Sequence, residues 1–93
     1  MQVTIDQIIQ LINPSREVGD AFAAAKNTAA DVGGVVSAAM AWLEQQYDTV
    51  SPIGAENIFG VVQTAETWSA DRNRYNAALV EVARVGKILG VLV

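Results

Sequence analysis

The stretch that decides the fold covers residues 58–93 and reads IFGVVQTAETWSADRNRYNAALVEVARVGKILGVLV. Apolar side chains recur in it at alternating steps of three and four residues, which is the spacing of a seam along one face of a long α-helix. Nine of the eleven seam positions are apolar. The seam consists of Ile58, Val61, Ala65, Trp68, Arg72, Tyr75, Leu79, Val82, Gly86, Leu89 and Val93. This pattern predicts a helical arm over about residues 55–92.

A second ladder with the same spacing lies earlier in the chain. Eight of its nine positions are apolar, against about half expected from the composition. The ladder consists of Val18, Phe22, Ala25, Ala29, Val32, Val36, Ala39, Leu43 and Gln46. Gly33-Gly34 interrupts it, and each glycine costs about 1 kcal/mol in a helix interior. We therefore expect a first helical arm over about residues 4–47, with a bend or a close helix–helix approach at the glycines.

The start of the first arm has its own signals. Thr4 followed by Gln7 is typical of a capping box, and Ile5, Ile8, Ile9 and Ile12 have the spacing of one helix face. Asn13-Pro14 then reads as an N-cap followed by proline at the first helical position. The alternative is one long helix that is kinked at Pro14. Either way, the signals predict a short N-terminal helix or a kink near Pro14.

Residues 48–54 are the clearest turn, because Asp48, Ser51, Pro52 and Gly54 fall within seven residues. Two seams joined by one short turn predict an all-α fold, an antiparallel helical hairpin. With 93 residues, the chain is long enough for one domain only, so residues 1–93 form a single helical-hairpin domain.

A two-helix hairpin has little interior, whereas 52% of these residues are hydrophobic. Apolar side chains also fall off the two seams, which predicts association into a dimer or a helical polymer. Trp42 lies off its seam and is a better candidate for an intermolecular contact than Trp68. The polar stretch 66–75 is either a recognition patch or two seam aromatics with flanking ion pairs. The candidate interface residues are Trp42, Phe59, Trp68, Tyr75, Ile88, Val91 and Leu92.

Composition argues against several function classes. The chain has no Cys and no His, which removes thiol catalysis and triads that use histidine, and its net charge of −4 disfavours nucleic-acid binding. Phosphate-binding glycine motifs are absent from the sequence. Glu44 and Asp48 share a helix face but read as a solvated surface pair. We expect no enzymatic activity, no cofactor, no metal and no small-molecule substrate.

Targeting signals are also missing from the sequence. The opening residues lack a basic segment followed by an apolar one, so we expect no cleaved signal peptide. The most apolar region, residues 77–93, carries Glu81, Arg84 and Lys87, so we expect no transmembrane helix.

Several stretches resemble the WXG-type, early-secreted-antigen-like proteins of type VII secretion. These stretches are residues 3–6, the Ala-rich first arm, Ile58-Phe59-Gly60, Trp68-Ser69 with Arg72, and residues 85–89. The resemblance implies a secreted or cell-surface helical hairpin that pairs with itself or with a related hairpin. The Trp-x-Gly turn and the Tyr-x-x-x-Asp/Glu export signature do not occur in this sequence. The resemblance therefore implies that a partner chain carries the export signal.

A weaker resemblance is to the needle and inner-rod subunits of type III secretion. Those subunits are hairpins with a Pro-containing turn and a long second helix that ends inside a polymer. Here Ser51-Pro52 precedes a long second arm, and residues 87–93 are unusually apolar for an exposed tail. This resemblance implies the repeating subunit of a helical filament, needle or tube.

Overall fold

The computed structural model describes residues 4–47, 53–57 and 59–92 of the chain. Within them the protein is all-helical, as predicted, and four helices follow one another along the chain. They are α1 (Ile5–Ile12), α2 (Arg16–Ala25), α3 (Val32–Gln46) and α4 (Ala65–Leu92). None of the described helices is long and apolar enough to cross a membrane.

The start of α1 agrees with the sequence prediction. The Thr4 hydroxyl accepts the Gln7 N–H at 3.2 Å, and the Thr4 N–H donates to the Gln7 side chain at 2.9 Å, which completes the capping box. Ile8 is buried, and Ile5, Ile9 and Ile12 pack partly buried against the core. The short N-terminal helix is therefore present with its predicted face.

Asn13 ends α1, whereas the sequence predicted that it would begin the next helix. Its φ of 52° lies in the left-handed region, and its N–H donates to the Ile9 carbonyl at 2.9 Å. This geometry closes a helix C-terminus, a role that asparagine tolerates better than most residues. Ser15 takes the N-cap position of α2, and Pro14 lies between the two helices. The alternative of one helix kinked at Pro14 is therefore wrong as well.

The first arm departs from the prediction again at residues 26–31, where a turn separates α2 from α3. The Asp31 carboxylate accepts the Gly34 N–H at 2.7 Å and caps α3. A Cβ on Gly34 would lie 2.5 Å from the Ala29 Cβ, so only glycine allows the turn to pack this closely. The glycine pair therefore stands in the first turn of a new helix and packs against the preceding turn, whereas the sequence predicted a bend or a close approach between helices.

Consecutive helices run antiparallel. The start of α1 meets the end of α2 where Lys26 pairs with Asp6 at 3.0 Å. The turn 26–31 folds α3 back on α2, and the two helices pack against each other. Val36 lies beside Gly86 and Tyr47 beside Tyr75, so α3 and α4 also run in opposite directions. The molecule is a rod of 49 × 21 × 18 Å.

The second arm becomes helical at Ala65, ten residues later than predicted. Residues 53–64, as far as the structure describes them, form a tight loop with an isolated antiparallel bridge between Glu56 and Val62. Gly54 and Gly60 have φ values of 91° and 76°, which favour glycine and end helical geometry. Thr64 then caps α4, because its hydroxyl accepts the Thr67 N–H. The predicted turn residues Asp48, Ser51 and Pro52 lie outside the described residues, as do Ile58 and Val93.

The core is shared by all four helices, and α4 contributes a broad stripe to it. The buried positions on α4 are Asp71, Ala78, Val82, Val85 and Leu89. Only Val82 and Leu89 of these belong to the predicted seam, so the buried face is rotated toward α1 and α2, which also pack on α4. The apolar core residues are Ile8, Val18, Ala21, Phe22, Ala25, Val35, Ala39, Leu43, Tyr47, Ala78, Val82, Val85 and Leu89.

Candidate functional site

One end of the rod is built around the buried carboxylate of Asp71, which is 4% exposed. Its Oδ2 accepts hydrogen bonds from the side-chain amides of Asn57, at 2.7 Å, and of Gln63. Arg74 approaches its Oδ1 at 3.9 Å. A buried charge needs such donors, because transfer out of water is costly. Asp71 therefore fastens the loop 53–64 to the first turns of α4.

Asn57 also organises the loop itself. Its side-chain oxygen accepts the N–H groups of Phe59, at 2.9 Å, and of Val61, at 3.1 Å. The Phe59 ring is covered on one side by the Arg74 guanidinium, 4.6 Å from the ring centre. These contacts fix the position of a candidate interface residue that the sequence had assigned to a helix.

An aromatic cleft of about 170 Å³ lies between α2, α3 and this loop. Trp42 and Phe59 both line it, so the structure places two predicted interface residues at one cleft. The cleft is also lined by charged residues of α2, among which Arg16 approaches Asp20 at 3.9 Å as an i,i+4 pair. The lining residues are Arg16, Glu17, Asp20, Trp42, Gln46 and Phe59. Trp42 and Phe59 are each half-buried.

Tyr47 and Tyr75 pack against each other between α3 and α4. Their ring centres are 5.5 Å apart, and Arg72 lies 5.2 Å from the centre of the Tyr75 ring. Burial raises the pKa of Tyr47 from 10.0 to about 12, and the negative charges of Glu17 and Asp71 add to the rise. Tyr75 is half-buried against the core, so this candidate interface residue makes its main contacts within the chain.

Four buried side-chain atoms in this region have no hydrogen-bond partner among the described residues. They are the Tyr47 hydroxyl, Gln63 Oε1, Trp68 Nε1 and Arg72 Nη1. Trp68, also a candidate interface residue, is half-buried near the start of α4. Each such group costs about 1–3 kcal/mol when it is left without a partner.

The other end of the rod carries an exposed apolar surface on the last turns of α4, which we call the tail face. Val91 is 84% exposed and Leu92 is 57% exposed. Together with Lys87 and the half-buried Ile88 they line an open, wholly apolar groove. The structure therefore brings together the three candidate interface residues Ile88, Val91 and Leu92.

A second apolar surface, which we call the loop end, lies on the loop before α4. It consists of Ile53, Val61 and Val62, all largely exposed. The sequence pattern places Ile53 in the turn and Val61 on the buried seam, so neither was predicted to be exposed.

The fold, the tail face and the loop end together define the protein in broad terms as a small all-helical rod with apolar surfaces at both ends. No family model, no curated protein and no solved structure matches this chain.

Proposed function

We propose that this chain is a non-enzymatic interaction protein that acts through association of its helices. The tail face is the observation that carries the proposal. Val91 and Leu92, two large aliphatic side chains on the last turn of α4, are exposed to solvent although the helix is otherwise well packed. Such contiguous apolar surface favours a protein partner. A rigid helix that presents the surface lowers the entropy cost of binding.

The use of the acidic side chains supports a non-enzymatic role. Asp71 binds two amides, Glu81 binds Ser15, Asp31 caps α3 and Asp6 pairs with Lys26. These carboxylates are therefore engaged in structure, and a general acid or base needs a carboxylate that reaches a substrate.

The class we propose is a secretion-associated protein like the type VII substrates, secreted or at the cell surface. The resemblance of residues 58–60, 68–72 and 85–89 to those proteins supports it. A second candidate is the repeating subunit of a helical filament, needle or tube. The presence of apolar surfaces at both ends of the rod favours this candidate, because a repeating subunit needs two contacts.

Sedimentation velocity and light scattering across micromolar to millimolar concentrations test the association. We expect the wild type to associate and the double variant Val91→Ser, Leu92→Ser to lose most of that association. Val80→Ser is the matched control, because Val80 is 72% exposed on the same helix but outside the tail face. A wild type that stays monomeric throughout would contradict the proposal.

A further inference from the structure

The two apolar surfaces lie at opposite ends of the molecule. The loop end comes directly before the first residue of α4 and is fastened to that helix through Asp71. The tail face occupies the last turns of the same helix. Twenty-eight helical residues span about 42 Å at 1.5 Å per residue, which is most of the 49 Å length of the rod.

The charges around these surfaces have opposite signs. Between residues 53 and 70 the charged residues are Glu56 and Glu66, and both are exposed. Between residues 82 and 92 they are Arg84 and Lys87, and both are exposed. None of these four residues is in an ion pair with another described residue.

Two acidic side chains at the tail end of the rod have partners within the chain. Asp6 pairs with Lys26 at 3.0 Å, and Asp31 accepts the Gly34 N–H at 2.7 Å. At the loop end the Arg74 side chain is exposed but lies 3.9 Å from Asp71, so the two charges offset each other, and Arg72 lies against Tyr75. The exposed charges that form no ion pair with another described residue are therefore Glu56 and Glu66 at the loop end, which is net acidic. At the tail end they are Arg84, Lys87 and the helix-capping Asp31, which leaves that end net basic.

Resting on the proposed association, we propose that the occupant of the tail face is the loop end of a second copy of this chain. The contact places Ile88, Val91 and Leu92 against Ile53, Val61 and Val62, with Arg84 and Lys87 facing Glu56 and Glu66. A tail-to-tail pair would instead bring four cations together, which opposes association. The contact joins two different surfaces, so each added copy leaves both surface types open and growth continues.

The contact is weak, because the 21 × 18 Å cross-section of the rod limits its area. A standard stable interface buries about 800 Å² per partner, and two rod ends meet over less than that. We therefore expect growth to depend steeply on concentration and to weaken as salt screens the charges.

Two variants that each block one end test the direction of assembly. Val62→Lys places a cation on the loop end, where it would face Arg84 and Lys87 of the next copy, and Val91→Glu places an acid on the tail face, where it would face Glu56 and Glu66. We expect each variant alone to require about tenfold or more higher concentration to associate than the wild type. A mixture of the two retains one intact loop end and one intact tail face, so we expect it to form a 1:1 dimer that grows no further.

Charge reversal gives an independent measurement. Arg84→Glu with Lys87→Glu, or Glu56→Lys with Glu66→Lys, should each weaken association, and all four changes in one chain should restore it. Ile53→Lys replaces Val62→Lys if the latter disturbs the Glu56–Val62 bridge, as judged by circular dichroism. A wild type that associates while Val62→Lys and Ile53→Lys associate equally well would overturn the head-to-tail contact and leave the proposed function standing. A monomeric wild type would overturn both.

Discussion

Gly86 lies at a close approach between α3 and α4, where there is no room for a Cβ atom. A Cβ placed on it would lie 2.7 Å from Val36 Cγ2, and a β-branched side chain in a helix has little freedom to move away. Gly90, one turn later on the same helix, would meet nothing within 4 Å. The two glycines of this Gly-x-x-x-Gly spacing therefore have different roles, which the spacing does not reveal.

Alanine substitution separates these roles. We expect Gly90→Ala to stabilise the protein by about 0.5–1 kcal/mol, since alanine favours the helix. Gly86→Ala should be lower in stability than Gly90→Ala by about 1–3 kcal/mol, because overpacking offsets that gain. Urea unfolding of both variants measures the difference, and equal stabilisation by the two substitutions would show that the helices do not approach closely at Gly86.

Tyr47 links stability to alkaline pH. Its pKa is about 12 in the folded chain and 10.0 as the ordinary value. The unfolded chain therefore loses this proton first as the pH rises, and the stabilisation present below pH 10 declines through pH 12. Comparison of wild type with Tyr47→Phe by urea unfolding from pH 8 to 11.5 checks this. The variant should lack the Tyr47 part of the decline, and parallel curves for the two proteins would contradict it.

At the scale of elements, the helix junctions and the loop that helical periodicity did not predict are stabilised by hydrogen bonds from side chains that are distant in the sequence. Glu81 illustrates this, because its hydrogen-bond partner lies 66 residues earlier in the chain. In the structure its carboxylate accepts the Ser15 N–H at 2.7 Å and the Ser15 hydroxyl at 2.9 Å. A residue of α4 thereby binds the N-cap residue of α2, whose own side chain makes no capping bond.

Loss of this contact should weaken the junction between α2 and α4. We expect Glu81→Ala to lower the free energy of unfolding by about 1–2 kcal/mol, in the range of a lost helix cap or a charged hydrogen bond. Glu66→Ala is the matched control, because Glu66 is exposed on the same helix. If thermal unfolding shifts equally in both variants, Glu81 does not make this junction.

The loop 53–64 should depend on Asp71 in the same way. In Asp71→Ala the amides of Asn57 and Gln63 lose their shared acceptor, at a cost of about 1–3 kcal/mol for each buried donor left unpaired. We expect faster hydrogen exchange at the Gly54, Asn57 and Gln63 amides than at those of α2 and α3. Uniform acceleration over the whole chain would contradict a local role for Asp71.

At the scale of the whole molecule, the shape of the rod makes head-to-tail growth measurable. Small-angle X-ray scattering over a concentration series should show a maximum dimension that increases in steps close to the 49 Å length of one molecule. The cross-section should stay constant, because copies add at the ends. A cross-section that thickens at constant length would indicate side-by-side pairing and contradict the end-to-end contact.

The candidate site was predictable in its chemistry and much less in its geometry. Ile88, Val91 and Leu92 were identified because they fall off the seam in a tail that is rich in apolar residues. Trp42 and Phe59 were also identified individually, but their position in the lining of one cleft depends on a loop that the sequence pattern had placed in a helix. Ile53 and Val61 were missed because exposure is decided by neighbours, and helical periodicity contains no information about them.

The sequence by itself determined the all-helical class, the capping box at Thr4 and the excess of apolar side chains over what one helix pair can bury. These features depend on local backbone preference and composition. The tertiary structure decided that α2 folds back on α3, that α4 begins at Ala65 and that its buried face turns toward three other helices. The physical reason is that the spacing of apolar residues specifies only that a segment is helical with an apolar face. Which side chains of that helix are buried depends on the number and position of the helices that pack against it.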